Sequence, residues 1–368
     1  NADYIGIMLD EIGEAAVPVG ECFAALESAG LCRAVGDNVY QCHPALRDCL
    51  VRRHPAGEAD KRAFVEAMGG LADIYAPKEL HEQRGVFALF GASFNRALKL
   101  AQKLDMQKHV MALMWGLASY AQNARNFSEM ERLYIQLAEV GKEYNDIRLQ
   151  ALSHGELGRI TLERRDFETA EKQYTQVLDI FLELGDNVNA AVSYHVLGVV
   201  AHEQRNYDAA EEWYRKSLAI KIEHGDEHVA AQTYHNLGVL AKERRDYDTA
   251  EDWYRKSLAI SLKQGDEHGA ALTYHGLGMV AQERRYYDTA EDWYRKSLAI
   301  DLKQGKEHGA ALTYNNLGAV AEGRGDYDAA EELYSQALAV FLQLNDTYSA
   351  EVAKNGLALL EELRKTNS

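Results

Sequence analysis

Between Asp226 and Gly265 the apolar and small residues recur at three- and four-residue spacing, first as Ala230, Tyr234, Leu237, Gly238 and Ala241, then as Ala250, Trp253, Tyr254, Leu258 and Ile260. Such spacing lines one face of a helix. The stretch therefore predicts two amphipathic helices, the first over about Glu227 to Arg244 and the second from Asp248 to Gly265. Asp248 followed by Glu251 predicts a capping box at the second start, repeated at Asp208/Glu211, Asp288/Glu291 and Asp328/Glu331. Gly265, like Gly185, Gly225 and Gly305, stands where a helix closes in the left-handed conformation. The whole pattern repeats every forty residues, with Gly198, Gly238, Gly278 and Gly318 in one column and Tyr214, Tyr254, Tyr294 and Tyr334 in another. A fixed period of that size predicts a solenoid, whose units bury their apolar faces only against their neighbours.

The flanks read differently. Over residues 1–56 a short helix, Glu21 to Ala29, precedes two β-like runs, Leu31 to Val35 and Val39 to His43, around the turn signal Gly36-Asp37-Asn38. A helix over Ala45 to Arg53 follows, which completes the element order of a winged-helix domain. Residues 57–105 predict helices over Ala63 to Ile74 and Phe87 to Leu104, separated at Pro77 and Gly85, as a worn first repeat or adaptor. Residues 106–345 are the array. Residues 346–368 are a capping helix, Ser349 to about Lys365, with Leu357 and Leu360 turned inward.

The expected fold class is thus mainly α, a right-handed α-solenoid with a small N-terminal winged-helix domain. A net charge of −17 argues against binding nucleic acid or an anionic membrane through charge. Arg47, Arg52 and Arg53 are interrupted by Asp48, so the last winged-helix segment is a poor reader of base edges. No apolar run is long enough to span a bilayer and no secretory signal is present, so a cytoplasmic location is expected. Cys22, Cys32, Cys42 and Cys49 form no CxxC pair and face no His pair, and they read as reduced thiols rather than a metal site. No GxxxxGK[ST], HExxH or GxSxG motif occurs, so the chain reads as non-enzymatic and without cofactor. It begins without Met, as a piece of a longer polypeptide would.

Tyr234, Leu237, Gly238, Ala250 and Tyr254 stand at the spacing of the tetratricopeptide signature, and residues 106–345 resemble that family in five or more units. Two columns depart from it: Ala241 replaces an aromatic residue, and Ile222, Leu262 and Leu302 stand where the family commonly has Pro. Without that Pro the second helix runs on to Gly265, and the unit lengthens from thirty-four residues to forty. The run from Ala24 to Arg53, with Gly30-Leu31, Tyr40 and His43-Pro44 in its pattern, resembles the winged-helix domain that follows the nucleotide-binding core of STAND-type signalling ATPases. That resemblance implies an upstream ATPase domain as a partner, with His43 at the position that approaches nucleotide phosphates.

Neighbouring units differ unevenly. Segments 246–265 and 286–305, which hold second helices, differ only at Asp246/Tyr286 and Ser261/Asp301, whereas first-helix segments 226–245 and 266–285 differ at six positions. Those edits form a stripe on one helical face. In tetratricopeptide arrays that face lines a concave groove, and the resemblance implies a protein or peptide partner there. The expected groove holds His195, His235 and His275 as a ladder, with Val199, Val239 and Met279 one turn on. Gln232, Asn236, Leu272, Asn315 and Asn316 flank the ladder, and His202, Lys242, Gln282 and Glu322 follow it. Those histidines read as hydrogen-bonding a bound peptide or as half-exposed packing, and titration near neutrality would also allow a pH-responsive groove. Trp213, Trp253 and Trp293 read as packing between units, and the Glu-Arg-Arg runs such as Glu243 to Arg245 as solvated helix ends. Three functions follow as expectations: the ligand-sensing module of a STAND-type ATPase, a free-standing adaptor or peptide receptor, and, third, a DNA-binding regulator.

Overall fold

The computed structural model describes residues 56–366 apart from 226, together with 24, 26–29, 32–36 and 39–42. The chain divides into two compact units, residues 1–160 and 161–368.

In the first unit, β1 (Cys32–Gly36) and β2 (Val39–Cys42) form the expected antiparallel hairpin, with Cys32 opposite Cys42 and an irregular register between Ala34 and Gly36. Cys32 is buried. The turn at Asp37-Asn38, His43 and the expected helix over Ala45 to Arg53 lie outside the described residues. A hairpin alone does not define a winged helix.

Helices α1 (Glu58–Tyr75), α2 (Leu80–Lys103), α3 (Gln107–Asn123) and α4 (Phe127–Glu143) follow, and α5 (Ile147–Glu163) spans the division between the units. The first four helices and the start of α5 close on a core that includes Phe87, Phe94, Leu113 and Tyr134, with Phe87 stacked between Phe94 and Tyr120. Phe94 and Tyr134, forty residues apart, are both fully buried, as the shared repeat grammar requires. Gly85, expected to break the chain, lies inside α2; the break falls at residues 76–79, where Pro77 cannot continue α1. The carbonyls left at the end of α1 are satisfied from α2 and α3. Gln83 Nε2 donates to Tyr75 O and Ala76 O, and Ser119 Oγ donates to Ala76 O.

The second unit is a tandem array of helix pairs, an α-solenoid arrangement. It contains α6 (Phe167–Glu183), α7 (Asn187–Glu203), α8 (Tyr207–Glu223), α9 (Glu227–Glu243), α10 (Tyr247–Gln264), α11 (Glu267–Glu283), α12 (Tyr287–Lys303), α13 (Glu307–Gly323), α14 (Tyr327–Gln343) and α15 (Thr347–Thr366). Odd-numbered helices from α7 onward are the first of each pair. Within a pair the missing Cβ of glycine is what permits contact: a Cβ on Gly278 would stand 2.6 Å from Tyr294 Cδ1, and one on Gly238 2.7 Å from Tyr254 Cδ1. Ser217, Ser257 and Ser297 then donate across the pair to Ala191 O, Ala231 O and Ala271 O, at 2.7, 2.9 and 2.9 Å. Each Trp stacks on the first-helix Tyr of its own unit, as Tyr234 does on Trp253 at 5.5 Å, while Trp253 also packs against the cores on both sides of it.

The capping box is displaced by two residues. Asp246, not Asp248, caps α10 by accepting from Thr249 N, and Asn206 and Asp326 do the same for α8 and α14. Asp248 and Glu251, already inside the first turn, take Arg284 of the next unit instead. Arg244 meets Asp208 and Glu211 in the same way, and Arg364 meets Asp328 and Glu331. Arg244 and Arg284, each the first Arg of a Glu-Arg-Arg run, are therefore ties between units rather than solvated ends. The second Arg turns the chain: Arg165, Arg245 and Arg285 all hold φ near +60°, as Arg205 does after Gln204, and Gly325 takes that place in the unit after Arg285. α15 occupies a first-helix position, burying Leu360 against Tyr334.

Candidate functional site

Successive first helices touch one another directly along the array, α9 with α11, α11 with α13 and α13 with α15. Their shared face carries the predicted site residues. Of the fifteen, only Gln232 and Leu272 are exposed; the others are half-buried.

The histidine ladder shows how. Thr313 Oγ1 donates to Gly309 O at 3.0 Å, which leaves it to accept from His275 Nδ1 at 3.3 Å. The other ring nitrogen of His275 then accepts from Asn316 Nδ2 at 3.1 Å, so the neutral imidazole is satisfied on both sides. His195 lies 3.0 Å from Thr233 Oγ1 and 3.5 Å from Asn236 Nδ2 in the same arrangement. His235 differs. Thr273 still approaches its Nδ1, but Gly276 stands where Asn236 and Asn316 stand, held there because a Cβ would meet Tyr254 at 2.7 Å. Among the described residues His235 Nε2 has no hydrogen-bond partner.

Each ring also lies over the buried Tyr of its own unit, with centroids 5.3–5.5 Å apart. Burial pushes all three imidazoles down to about 4, helped by the charge of Lys221 at His195 and by Lys242 at His235 and His275. The lowered values favour neutral rings near neutrality and argue against these three histidines as the source of a pH-responsive groove. Desolvation outweighs the ordinary basicity of the ring.

The remaining candidates are divided. His202 Nε2 lies 2.9 Å from Glu243 Oε2 of the next unit, Gln282 Oε1 accepts from Tyr294 at 2.8 Å, and Glu322 Oε2 accepts from Tyr334 at 2.8 Å. Lys242 Nζ reaches Met279 Sδ at 3.9 Å. Asn315 Oδ1 is buried with no donor, and Val199 and Val239 pack into the cores beneath. These side chains build the face more than they present it.

What the face presents is two consecutive hollows that share Leu272. One, of about 220 Å³, lies over α9, α10 and α11 and is lined by His235, Gln232 and Ser261. The next, of about 560 Å³, lies over α11, α12 and α13 and reaches Leu312 and Leu344. Leu272 and Leu312 are 48% and 38% exposed, apolar surface that no described residue covers. The floors come from second helices, through Ser261 in one hollow and Asp301 in the other. Comparison of first helices alone passes over this column. Its signal is chemical variety at one position, with Lys221, Ser261, Asp301 and Phe341 buried and Phe181 half-buried at a forty-residue spacing.

The tetratricopeptide repeat model matches at residues 148–223, 190–263, 229–303 and 269–343, together more than half of the chain. The chain belongs to the tetratricopeptide repeat family, whose fold is typically a protein-interaction scaffold. Among solved structures it is similar to BtubC (BKLC) from P. vanneervenii, at 24% identity and a TM-score of 0.54 over 60% of this chain and 92% of that one. It is also similar to a signal transduction ATPase with numerous domains (STAND) that carries a tetratricopeptide repeat sensor, from Pyrococcus horikoshii. There the identity is 15% and the TM-score 0.51, over 98% of this chain and 57% of that one. The apo form of RapI matches at 16% identity and a TM-score of 0.50, over 67% of this chain and 95% of that one. No curated protein matches. No described helix is long and apolar enough to cross a membrane.

Proposed function

We propose that the face of α9, α11 and α13 binds an extended segment of a partner protein, and that this chain is the ligand-sensing module of a STAND-type signalling ATPase. The observation that carries the first part is the pair of adjoining hollows, which present exposed leucines over a face otherwise closed by inter-unit hydrogen bonds. Apolar hollows with a few fixed polar groups are what a protein offers to a ligand. Ligand on that face would bridge three units and favour one spacing between them, which is how occupancy becomes a population shift.

The sensor part is supported by the fold shared with the STAND protein over 98% of this chain, and by the N-terminal hairpin at the place where the resemblance to winged-helix domains lies. A free-standing adaptor is the second reading, favoured by BtubC and RapI, which this chain's fold covers almost end to end. The reading frame upstream of Asn1 decides between them: a phosphate-binding loop supports the sensor, and a start codon close by removes it. Binding is tested by selecting displayed peptides on the 368-residue chain and on its Leu272→Glu, Leu312→Glu double variant. Peptides retained by the wild type and lost by the folded variant are expected; equal retention would move the site off this face.

A further inference from the structure

The larger hollow has a floor unlike its neighbour's. Over segments 246–265 and 286–305 only two positions differ, and one of them puts Asp301 where the preceding unit has Ser261. Asp301 is 7% exposed, and its residual exposure opens into the 560 Å³ hollow. Among the described residues no donor lies within hydrogen-bonding distance of its carboxylate.

The basic side chains nearby are engaged elsewhere. Lys306 Nζ is held by His268 Nδ1, and His308 Nε2 lies 2.9 Å from Asp346 Oδ2. Lys306 also replaces the aspartate that caps α11 through Asp266, so α13 begins without a side-chain cap. Gly309 closes the floor from the other side: a Cβ there would stand 2.8 Å from Asp301 Oδ2. Burial raises the carboxyl above its ordinary value while Lys306 and His268 pull it back. A carboxylate in this position, withdrawn from water and unpaired, is costly unless a cation reaches it.

We propose that the hollow over α11, α12 and α13 takes an arginine side chain of a bound peptide, with the Asp301 carboxylate as the anchor for its guanidinium. The walls suit the rest of that side chain, since Ala271, Leu272, Leu312 and Leu344 offer apolar surface to its methylene stem. The planar guanidinium presents paired donors to a carboxylate, and a chain of net charge −17 attracts basic segments at long range. The neighbouring hollow, floored by the Ser261 hydroxyl, has no charge to offer. One edit between duplicated helices thus gives two adjoining hollows different preferences.

The assignment rests on the reading of this face as a peptide site, and the test separates the two. Peptides displayed from a random library are selected on the full chain and on Asp301→Ser, a residue the same scaffold already carries at 261. Arginine is expected to be enriched at one fixed position among peptides bound by the wild type. Asp301→Ser is expected to keep peptide binding and lose that enrichment at least tenfold. The variant is also expected to melt at a higher temperature than the wild type, because an unpaired buried charge is removed. Peptides that bind equally well without arginine, or an enrichment unchanged in Asp301→Ser, would overturn the arginine anchor and leave the peptide site standing. No enriched peptide of any kind would overturn both. A lower melting temperature for Asp301→Ser would show that the carboxylate is paired within the chain, and would also overturn the anchor. Agmatine, titrated as a small guanidinium probe, is expected to compete with the selected peptides; tight agmatine binding without peptide binding would mark a small-molecule pocket instead.

Discussion

Acidification from pH 7 to 5 should weaken this array through the histidine ladder. In the fold His195, His235 and His275 titrate at about 4, against roughly 6.5 for an unfolded chain. Between those values the unfolded state binds more protons, so stability falls as the pH falls; the contribution is complete above about 6.5 and gone below about 4. Moving from pH 7 to 5 charges the unfolded rings and leaves the folded ones neutral. The difference is about 1.8 kcal/mol per ring, or roughly 5.5 kcal/mol if the three act independently. The half-exposure of the rings reduces that figure, and Asp301, whose carboxyl is pushed upward, contributes with the opposite sign. Urea unfolding followed by circular dichroism at pH 7, 6 and 5 measures the slope. The variant with His195, His235 and His275 all changed to Gln keeps a polar side chain at each site and removes the proton uptake, so its slope should flatten. A triple variant as acid-sensitive as the wild type would refute the assignment.

Other perturbations follow from single contacts. Gly278→Ala should destabilise by about 1–3 kcal/mol, because the new methyl would press on the fully buried Tyr294 ring, whereas Gly85→Ala, with open space around it in α2, should stabilise by about 0.5–1 kcal/mol; paired thermal melts read both. Tyr286 is the N-cap of α12 and makes no side-chain cap, so Tyr286→Asp, the residue found at 246, should add about 1 kcal/mol in urea unfolding. Arg284→Ala, which removes a partly exposed tie to Asp248 and Glu251, should cost less than about 1 kcal/mol and lose its effect in high salt; a cost that persists in salt would point to packing of the arginine stem instead.

The period, the helix pairs, the closing glycines and the close approach at Gly238 and Gly278 were all legible in the sequence, because each depends on local spacing or on a missing side chain. The family was legible for the same reason, since a forty-residue repeat needs no knowledge of what packs on what. The face that differs between units was legible too. Whether its side chains meet water or one another was not. His275, Thr313 and Asn316 are about forty residues apart, and only the stacking of α11 on α13 brings them together and turns a presumed ligand ladder into joints between units. Likewise Asp248 satisfies the spacing of a capping box, yet α10 begins two residues earlier and Arg284 claims the carboxylate. The sequence shows Ser261/Asp301 only as one of two differences between second helices, and the tertiary structure places Asp301 on the floor of a hollow. Local composition settles which segments are helical and how they pair; which groups lose water, and so which charges remain to be satisfied by a partner, is decided only when distant units close over them.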